Sequence, residues 1–112
     1  MKSIDVFIEH ILAAINKIEK YIIDYDFDRF ISDEKTHDAV VREIEIIGEA
    51  TTHLVTEFKD KYPDVSWQDI KGMRNHLIHE YWDVNLEDIW QTVQEDLPVL
   101  KKILQPILES YH

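Results

Sequence analysis

Apolar residues recur at steps of three and four over most of this chain, and that spacing constrains the fold more than any other feature. Residues three and four apart lie on one face of an α-helix, whereas a β-strand alternates with a period of two. Glycine and proline, which punctuate turn-rich β folds, number only two and three in 112 residues. The sequence therefore predicts an all-α protein whose helices each bury one apolar face.

The positions of these apolar stripes predict four helices. Isoleucines dominate the first stripe, and leucines dominate the last. The predicted ranges are 3–25, 33–61, 66–83 and 85–108. Helices of this number and length make an antiparallel up-and-down bundle with a kinked last helix, and we expect residues 1–112 to form one such domain.

Several residues predict where these helices start, stop or bend. Residues 26–32 break the first pattern and are predicted to form a connection. Ser66 resembles the first residue of a capping box at the start of the third helix. Pro98 and Pro106 fall inside the fourth helix, where each missing N–H predicts a kink or a break. Gly48 lies within the second stripe and predicts the close approach of another backbone.

Composition narrows the class of protein further. The chain has no cysteine, which excludes a disulfide scaffold, a thiolate metal site and a cysteine nucleophile. No apolar run approaches the ~20 residues of a membrane helix. Asp5 and Glu9 interrupt the N-terminal segment where a signal peptide would have its apolar region. We therefore expect a cytoplasmic protein that does not enter a membrane.

The charge balance of the chain is strongly acidic. Lysine and arginine together number 12 and aspartate and glutamate 23, which gives a net charge of −11. Such a surface repels nucleic acid at long range, so contact with RNA or DNA must depend on a local site. The acidity fits a protein partner more easily.

One polar segment of the third helix differs from the solvated faces elsewhere. It places Arg74, Asn75, His76, His79 and Tyr81 close together, and these are side chains that bind and cleave phosphodiesters. On an ideal helix, at about 100° per residue, Arg74 and Tyr81 lie within about 20° of each other. Arg74 and His79 lie about 140° apart, so they converge only at the edge of a cleft or where the helix tightens or ends.

This segment resembles the signature of the HepT toxins, which are minimal members of the HEPN superfamily. Arg74, four residues, His79, one residue and Tyr81 match the Arg-x4-His-x-Tyr motif of those toxins. The resemblance extends over nearly the whole chain. The other similar blocks are residues 47–50 (IGEA), 67–75 (WQDIKGMRN), 84–90 (VNLEDIW) and the Leu97-Pro98 pair.

The resemblance implies an antiparallel helical bundle that forms a homodimer, with the two motifs near the subunit interface in a composite cleft. It implies cleavage of RNA without a metal ion or a cofactor. It also implies a protein partner, a minimal nucleotidyltransferase of the MNT type that acts as the antitoxin. In this family the partner neutralises the toxin by transferring AMP to the motif tyrosine, which is Tyr81 in this sequence.

Each residue of the motif has a predicted chemical role. His79 can exchange protons near neutral pH and is predicted to take the proton from a ribose 2′-hydroxyl. Arg74 is predicted to hold the phosphate through its planar guanidinium. Asn75 could donate a further hydrogen bond or fix His79, and Tyr81 could contact phosphate or stack on a base. Either a second His79 across a dimer cleft or His76 could protonate the leaving group, and the sequence leaves both open.

Some of these residues also have simpler interpretations. Tyr81 fits the apolar stripe of the third helix and could be a core or interface aromatic. Glu45 and Glu49 could form a solvated edge, or Glu49 could pair with Arg74 across two helices. Trp82 lies off the stripe and is predicted to be exposed.

A second class of function stays open beside the enzyme. The chain could be a non-catalytic subunit that presents Tyr81, or a substrate, to a nucleotidyltransferase. The acidic charge favours that hypothesis, whereas a histidine placed for proton transfer favours the nuclease. Under the nuclease hypothesis, Arg74 and Lys71 from two subunits would form a local positive patch on an acidic body.

Overall fold

The computed structural model describes residues 3–111, apart from the side chain of Tyr81. No β-strand occurs among these residues, which confirms the all-α class. The α-helices are α1 (Ile4–Tyr21), α2 (Phe27–Ser32), α3 (Glu34–Thr52), α4 (Thr56–Asp60), α5 (Trp67–His79), α6 (Leu86–Gln91) and α7 (Leu97–Ser110). A 3₁₀ turn follows α5 at Tyr81–Asp83, and a π-helical segment at Thr92–Asp96 joins α6 to α7.

Helix α3 is the centre of the bundle, because it packs against both α1 and α5. Helix α1 also packs against α7. The four main helices, α1, α3, α5 and α7, form the predicted antiparallel bundle. Burying an aliphatic side chain of this size contributes about 1.5–3 kcal/mol. The completely buried aliphatic residues include Ile8, Ile11, Ile15, Ile44, Ile47, Leu77, Leu100 and Leu104.

The connection predicted over residues 26–32 is wrong, because α2 forms there. The Asp26 side chain caps this helix by accepting a hydrogen bond of 2.8 Å from the backbone N–H of Arg29. Phe30 is completely buried and fixes the short helix to the bundle. A helix of six residues is too short to show a periodic stripe, so tertiary packing rather than local pattern stabilises it.

The single helix predicted over residues 33–61 is also wrong, because α3 ends at Thr52 and the chain restarts as α4. The Thr51 hydroxyl donates to the Gly48 carbonyl at 2.8 Å, and the Thr52 hydroxyl donates to the Glu49 carbonyl at 2.6 Å. These bonds satisfy carbonyl groups of the last turn. They also offer these carbonyls an alternative to the backbone N–H groups of a longer helix. No glycine or proline marks this break, so the apolar spacing alone did not reveal it.

The last main helix changes geometry just before Pro98. The backbone N–H of Leu97 donates to the Thr92 carbonyl, which is the wider step of a π-helix. Because Pro98 has no N–H, the widened turn accommodates the missing helical hydrogen bond. The predicted irregularity near Pro98 is therefore confirmed. Pro106 lies inside α7, and the helix continues past it to Ser110.

The helix starts differ in how they are capped. Asp33 caps α3 by accepting from the Thr36 N–H at 3.1 Å, and Asn85 caps α6 by accepting from the Glu87 N–H at 2.8 Å. The capping box predicted at Ser66 is wrong, because its side chain makes no cap hydrogen bond within the described chain. Its backbone ψ of 66° lies outside the extended region that a capping residue normally adopts.

One prediction about the surface is confirmed. Trp82 is 85% exposed, as its position off the apolar stripe predicts. Within residues 3–111, no helix has both the length and the apolar content needed to cross a membrane.

We predict that Asp96→Asn stabilises the protein at neutral pH. Burial, and then the nearby carboxylates of Asp69 and Glu95, raise the pKa of Asp96. The folded state therefore holds this proton more tightly than the unfolded chain, and stability falls as the pH rises through the unfolded and then the folded pKa. We expect a gain within about 0.2–1 kcal/mol, the range for solvent-screened charges.

Urea unfolding at neutral pH and at a pH below 3.8, the normal pKa of this side chain, tests the prediction. The gain should be present at neutral pH and absent in acid, where wild-type Asp96 is itself neutral. An equal gain at both pH values would show that charge is not the cause.

Candidate functional site

Arg74 is held at the contact between α5 and α3. Its Nη2 donates to Oε2 of Glu49 at 2.6 Å, and its Nη1 donates to Oδ1 of Asn75 at 2.9 Å. The cross-helix pairing of Glu49 with Arg74, one of the two interpretations of Glu49, is therefore confirmed. Asn75 contacts Arg74, whereas the sequence left open that it fixes His79.

Gly48 provides the space for Arg74. A Cβ atom built at position 48 would lie within 3.0 Å of both Cβ and Cγ of Arg74. The predicted close approach at Gly48 is confirmed, because the Arg74 backbone Cα would lie 3.6 Å from that Cβ. The tightest contacts, however, are with the base of the Arg74 side chain.

Three N–H donors of the Arg74 guanidinium remain after these two bonds, because a guanidinium carries five. One of them, on Nε, is buried and has no hydrogen-bond partner among the described residues. A buried donor without a partner costs about 1–3 kcal/mol. The fold therefore bears a cost in holding Arg74 here, and such a cost is typical of a functional position.

A cavity of about 420 Å³ opens beside Arg74. Its walls come from α1, α3, the residue that follows α3, and α5, and they combine apolar side chains with two arginines, two histidines and two glutamates. Sequence reasoning missed most of them, although the α3 residues share one helical face at steps of three and four. The lining residues are Phe7, His10, Arg42, Glu45, Ile46, Glu49, Ala50, His53, Arg74 and Ile78.

His53 supports Glu49 from the far side of this cavity. Its ring stacks on Phe7 with centroids 4.6 Å apart and planes 6° from parallel. Its Nε2 lies 3.4 Å from Oε1 of Glu49, while the other carboxylate oxygen faces Arg74. Glu49 thus lies between two groups that can donate hydrogen bonds, one on each oxygen.

His79 lies beyond this arrangement. His79 is the exposed last residue of α5 and is not among the described residues that line the Arg74 cavity. Tyr81 belongs to the 3₁₀ turn, and its side chain lies outside the part of the structure that is described. Because α5 ends at His79, the continuous helix assumed for the angle between Arg74 and Tyr81 is wrong.

His76 forms a separate polar group with the residues that follow α5. Its Nδ1 lies 3.5 Å from Oε2 of Glu80, and its Nε2 lies 3.3 Å from the Asp83 carbonyl oxygen. Within the described chain, one potential ligand atom from each of His76, Glu80 and Asp83 lies within 4.8 Å of the others. These residues could hold a metal ion, but solvated side chains at a helix end commonly adopt such a geometry without one.

Lys71, the residue predicted to add positive charge beside Arg74, lines a different cavity with Lys59. Arg42 lines the Arg74 cavity in its place. The two arginines share this cavity with the carboxylates of Glu45 and Glu49, so the positive patch predicted from two subunits stays a prediction.

Comparison with known proteins connects this site to a family. A family model described as "Ribonuclease HepT-like" matches residues 11–107. The chain belongs to the HepT-like ribonuclease family. Membership confirms the resemblance drawn from the Arg-x4-His-x-Tyr motif and its neighbouring blocks.

Three relatives illustrate the range of similarity to this HepT-like chain. "Probable ribonuclease HepT" of Thermococcus cleftensis is 41% identical over 95 residues, covering 85% of this chain and 86% of the relative. "Putative RNase TTE0752" of Caldanaerobacter subterraneus subsp. tengcongensis is 39% identical over 110 residues, covering 98% of each.

The third relative is longer than this chain. "Gamma-glutamylcyclotransferase and putative RNase MJ0434" of Methanocaldococcus jannaschii is 40% identical over 109 residues, covering 97% of this chain and 49% of the relative. This HepT-like chain therefore spans about half the length of that relative. No solved structure matches the chain.

We predict that Gly48→Ala destabilises this HepT-like fold, because the new methyl group collides with Arg74. Overpacking of this kind costs about 1–3 kcal/mol. Gly72 on α5 is the matched control, since nothing lies within 4 Å of a Cβ built there. Gly72→Ala should gain up to about 1 kcal/mol from helix propensity.

Urea unfolding of both variants measures the difference in free energy. Stability of Gly48→Ala equal to that of wild type would mean that the Arg74 side chain does not require glycine at this position.

Proposed function

We propose that this chain is the toxin of a toxin–antitoxin module and cleaves RNA without a metal ion, using Arg74 and His79. The observation that carries the proposal is the way Glu49, Asn75 and Gly48 fix Arg74 beside a cavity. A motif arginine held in this way suits the binding of a phosphodiester. A cytoplasmic location, where RNA is abundant, is part of the proposal.

In the proposed reaction, Arg74 binds the phosphate next to the scissile bond. The remaining N–H of Nη1 and that of Nη2 bond to the non-bridging oxygens and stabilise the charge that develops on them. The ribose 2′-oxygen attacks phosphorus, and the bond from phosphorus to the 5′-oxygen breaks. The chemistry is that of an intramolecular displacement, so positioning and charge stabilisation supply most of the rate enhancement.

His79 is the proposed proton acceptor for the 2′-hydroxyl. Its ring is exposed at the end of α5, so a substrate can reach it. The leaving 5′-oxygen needs a proton from a second acid, for which the candidates are His76 and His79 of a second copy.

A homodimer is part of the proposal, because Arg74 and His79 do not line one cavity within the described residues of a single chain. In a composite cleft, Arg74 of one copy would work beside His79 of the other. The exposed side chains of Ile78 and Trp82, at 45% and 85%, are apolar surface near the motif that a second copy could cover.

The acidic charge of the chain is compatible with an RNA substrate if binding is local. Arg42 and Arg74 line one cavity together with Glu45 and Glu49, so the arginines offset the carboxylates there, and a dimer would bring two such cavities to the molecule. Binding should be weak and should weaken further as salt is added, because the rest of the surface repels phosphate.

The partner in the proposed module is an MNT-type nucleotidyltransferase that attaches AMP to Tyr81. The tyrosine oxygen attacks the α-phosphorus of ATP, and pyrophosphate leaves. The product adds a phosphate charge and a nucleotide close to the motif in sequence, where it would compete for Arg74. Tyr81 follows the end of α5 on a short 3₁₀ turn.

The alternative is a non-catalytic subunit that presents Tyr81 to the nucleotidyltransferase. The net charge of −11 favours a protein partner over RNA. This alternative assigns no role to the fixed position of Arg74, and we therefore rank it second.

We predict that purified protein cleaves RNA in the presence of EDTA. Arg74→Ala and His79→Ala should each reduce the rate by at least ~100-fold, as expected for loss of charge stabilisation or proton transfer. Gel analysis of a labelled RNA measures the cleavage, and light scattering checks that each variant has the mass of wild type. Wild-type rates in both variants would contradict the mechanism.

We predict that Tyr81→Phe blocks neutralisation by the nucleotidyltransferase, because the acceptor hydroxyl is absent. Mass spectrometry after incubation with the partner and ATP should detect AMP on wild type and not on the variant. Tyr62→Phe, a change outside the motif, is the control and should be modified normally. AMP on Tyr81→Phe would assign the acceptor to another residue.

A further inference from the structure

Glu49 helps to hold Arg74, but the mechanism above assigns it no effect on the rate of the reaction. Its carboxylate makes the cross-helix contact to Arg74, with Nη2 and Oε2 2.6 Å apart. The motif defined by Arg74, His79 and Tyr81 does not include it. Glu49 lies on α3, 25 positions before Arg74 in the chain, so only the fold brings the two together.

A carboxylate beside a phosphate-binding arginine has two opposing effects. Its negative charge repels the phosphate, which weakens binding of the substrate. Its hydrogen bond restricts the guanidinium to one orientation, which favours a transition state that needs the donors in fixed positions. A side chain that attracts RNA would carry a positive charge. Of these two effects, only the orientation of the guanidinium can favour catalysis here.

The surroundings of Glu49 show that the carboxylate is itself oriented. His53 approaches its second oxygen at 3.4 Å, and the His53 ring is stacked on Phe7. On the other side of Arg74, Asn75 accepts from Nη1, and Gly48 leaves space for the base of the side chain. The guanidinium is thus restrained from two helices.

We propose that Glu49 is a positioning residue that fixes the Arg74 guanidinium, so that the donors left over are held ready for an RNA phosphate. This inference rests on the proposed ribonuclease function for its effect on rate. The restraint on Arg74 is a property of the folded protein alone and can be measured without RNA.

The kinetic test compares Glu49→Ala with Glu45→Ala. Both variants remove one negative charge from the face of α3 that lines the Arg74 cavity, but among the described residues only Glu49 of the two forms a hydrogen bond with Arg74. A displacement of about 1 Å at a catalytic group costs roughly 100-fold, so we expect kcat of Glu49→Ala to fall by about that factor. Its KM should not rise, because the lost carboxylate repelled the phosphate. Glu45→Ala removes a like charge from the same cavity, so its KM should not rise either, but its kcat should fall far less than the roughly 100-fold expected for Glu49→Ala.

Glu49→Gln provides a conservative rescue. Its amide oxygen can still accept from Nη2, but a neutral hydrogen bond is about half as strong as a charge-assisted one. The kcat of Glu49→Gln should therefore lie between those of wild type and Glu49→Ala. Equal losses of kcat in Glu45→Ala and Glu49→Ala would overturn the proposal, because charge rather than contact would then be the cause.

An NMR measurement separates this proposal from the proposed function. The Arg74 Nε–H is buried, so its signal, assigned by its loss in Arg74→Lys, should exchange slowly with water in wild type. Slow exchange should be lost in Glu49→Ala and kept in Glu45→Ala. That result supports the positioning role even if wild type cleaves no RNA, an outcome that would refute only the proposed function. Slow exchange retained in Glu49→Ala overturns the positioning role, whether or not RNA is cleaved.

Discussion

The contact between Gly48 on α3 and the Arg74 side chain on α5 is the constraint on which the site depends. Helix α3 packs against both α1 and α5, and at Gly48 it approaches so closely that no Cβ fits. Glycine inside a helix costs about 1 kcal/mol relative to alanine, and the unpartnered Nε of Arg74 costs about 1–3 kcal/mol more. The partly exposed ion pair between Arg74 and Glu49 stabilises the fold by at most about 1 kcal/mol. These contacts therefore serve the position of Arg74 more than the stability of the bundle.

The end of α5 has a second consequence for the motif. Arg74 lies on the side of α5 that faces α3, whereas His79 is the exposed last residue of the helix. The spacing in the sequence already predicted this separation, because an ideal helix places the side chains of Arg74 and His79 about 140° apart around its axis. The described residues of one chain do not bring them to a shared cavity. In the proposed homodimer, a cleft completed by a second chain would let both residues act on one phosphate.

The sequence predicted the features that depend on long apolar stripes and failed where packing or short polar contacts decide. The apolar stripes of α1, α3, α5 and the last helix predicted the all-α bundle. Pro98 predicted an irregularity in the last helix, which is the π-helical segment Thr92–Asp96. Helix α2 was missed because it has six residues and depends on burial of Phe30. The end of α3 was missed because it depends on hydroxyl-to-carbonyl bonds of Thr51 and Thr52 rather than on glycine or proline.

The features of the site likewise divide into those predicted from local spacing and those that depend on packing between helices. The Arg-x4-His-x-Tyr spacing is local and was visible at once, and it led to the family. Much of the wall beside Arg74 was not visible, because Arg42 and His53 carry the common polar residue types of a solvated helix face. Glu49 allowed two interpretations, a solvated edge or a pair with Arg74 across two helices, and both fit its place on α3. The choice between them depends on the close packing of α3 and α5 at Gly48, which brings the Glu49 carboxylate to the Arg74 guanidinium.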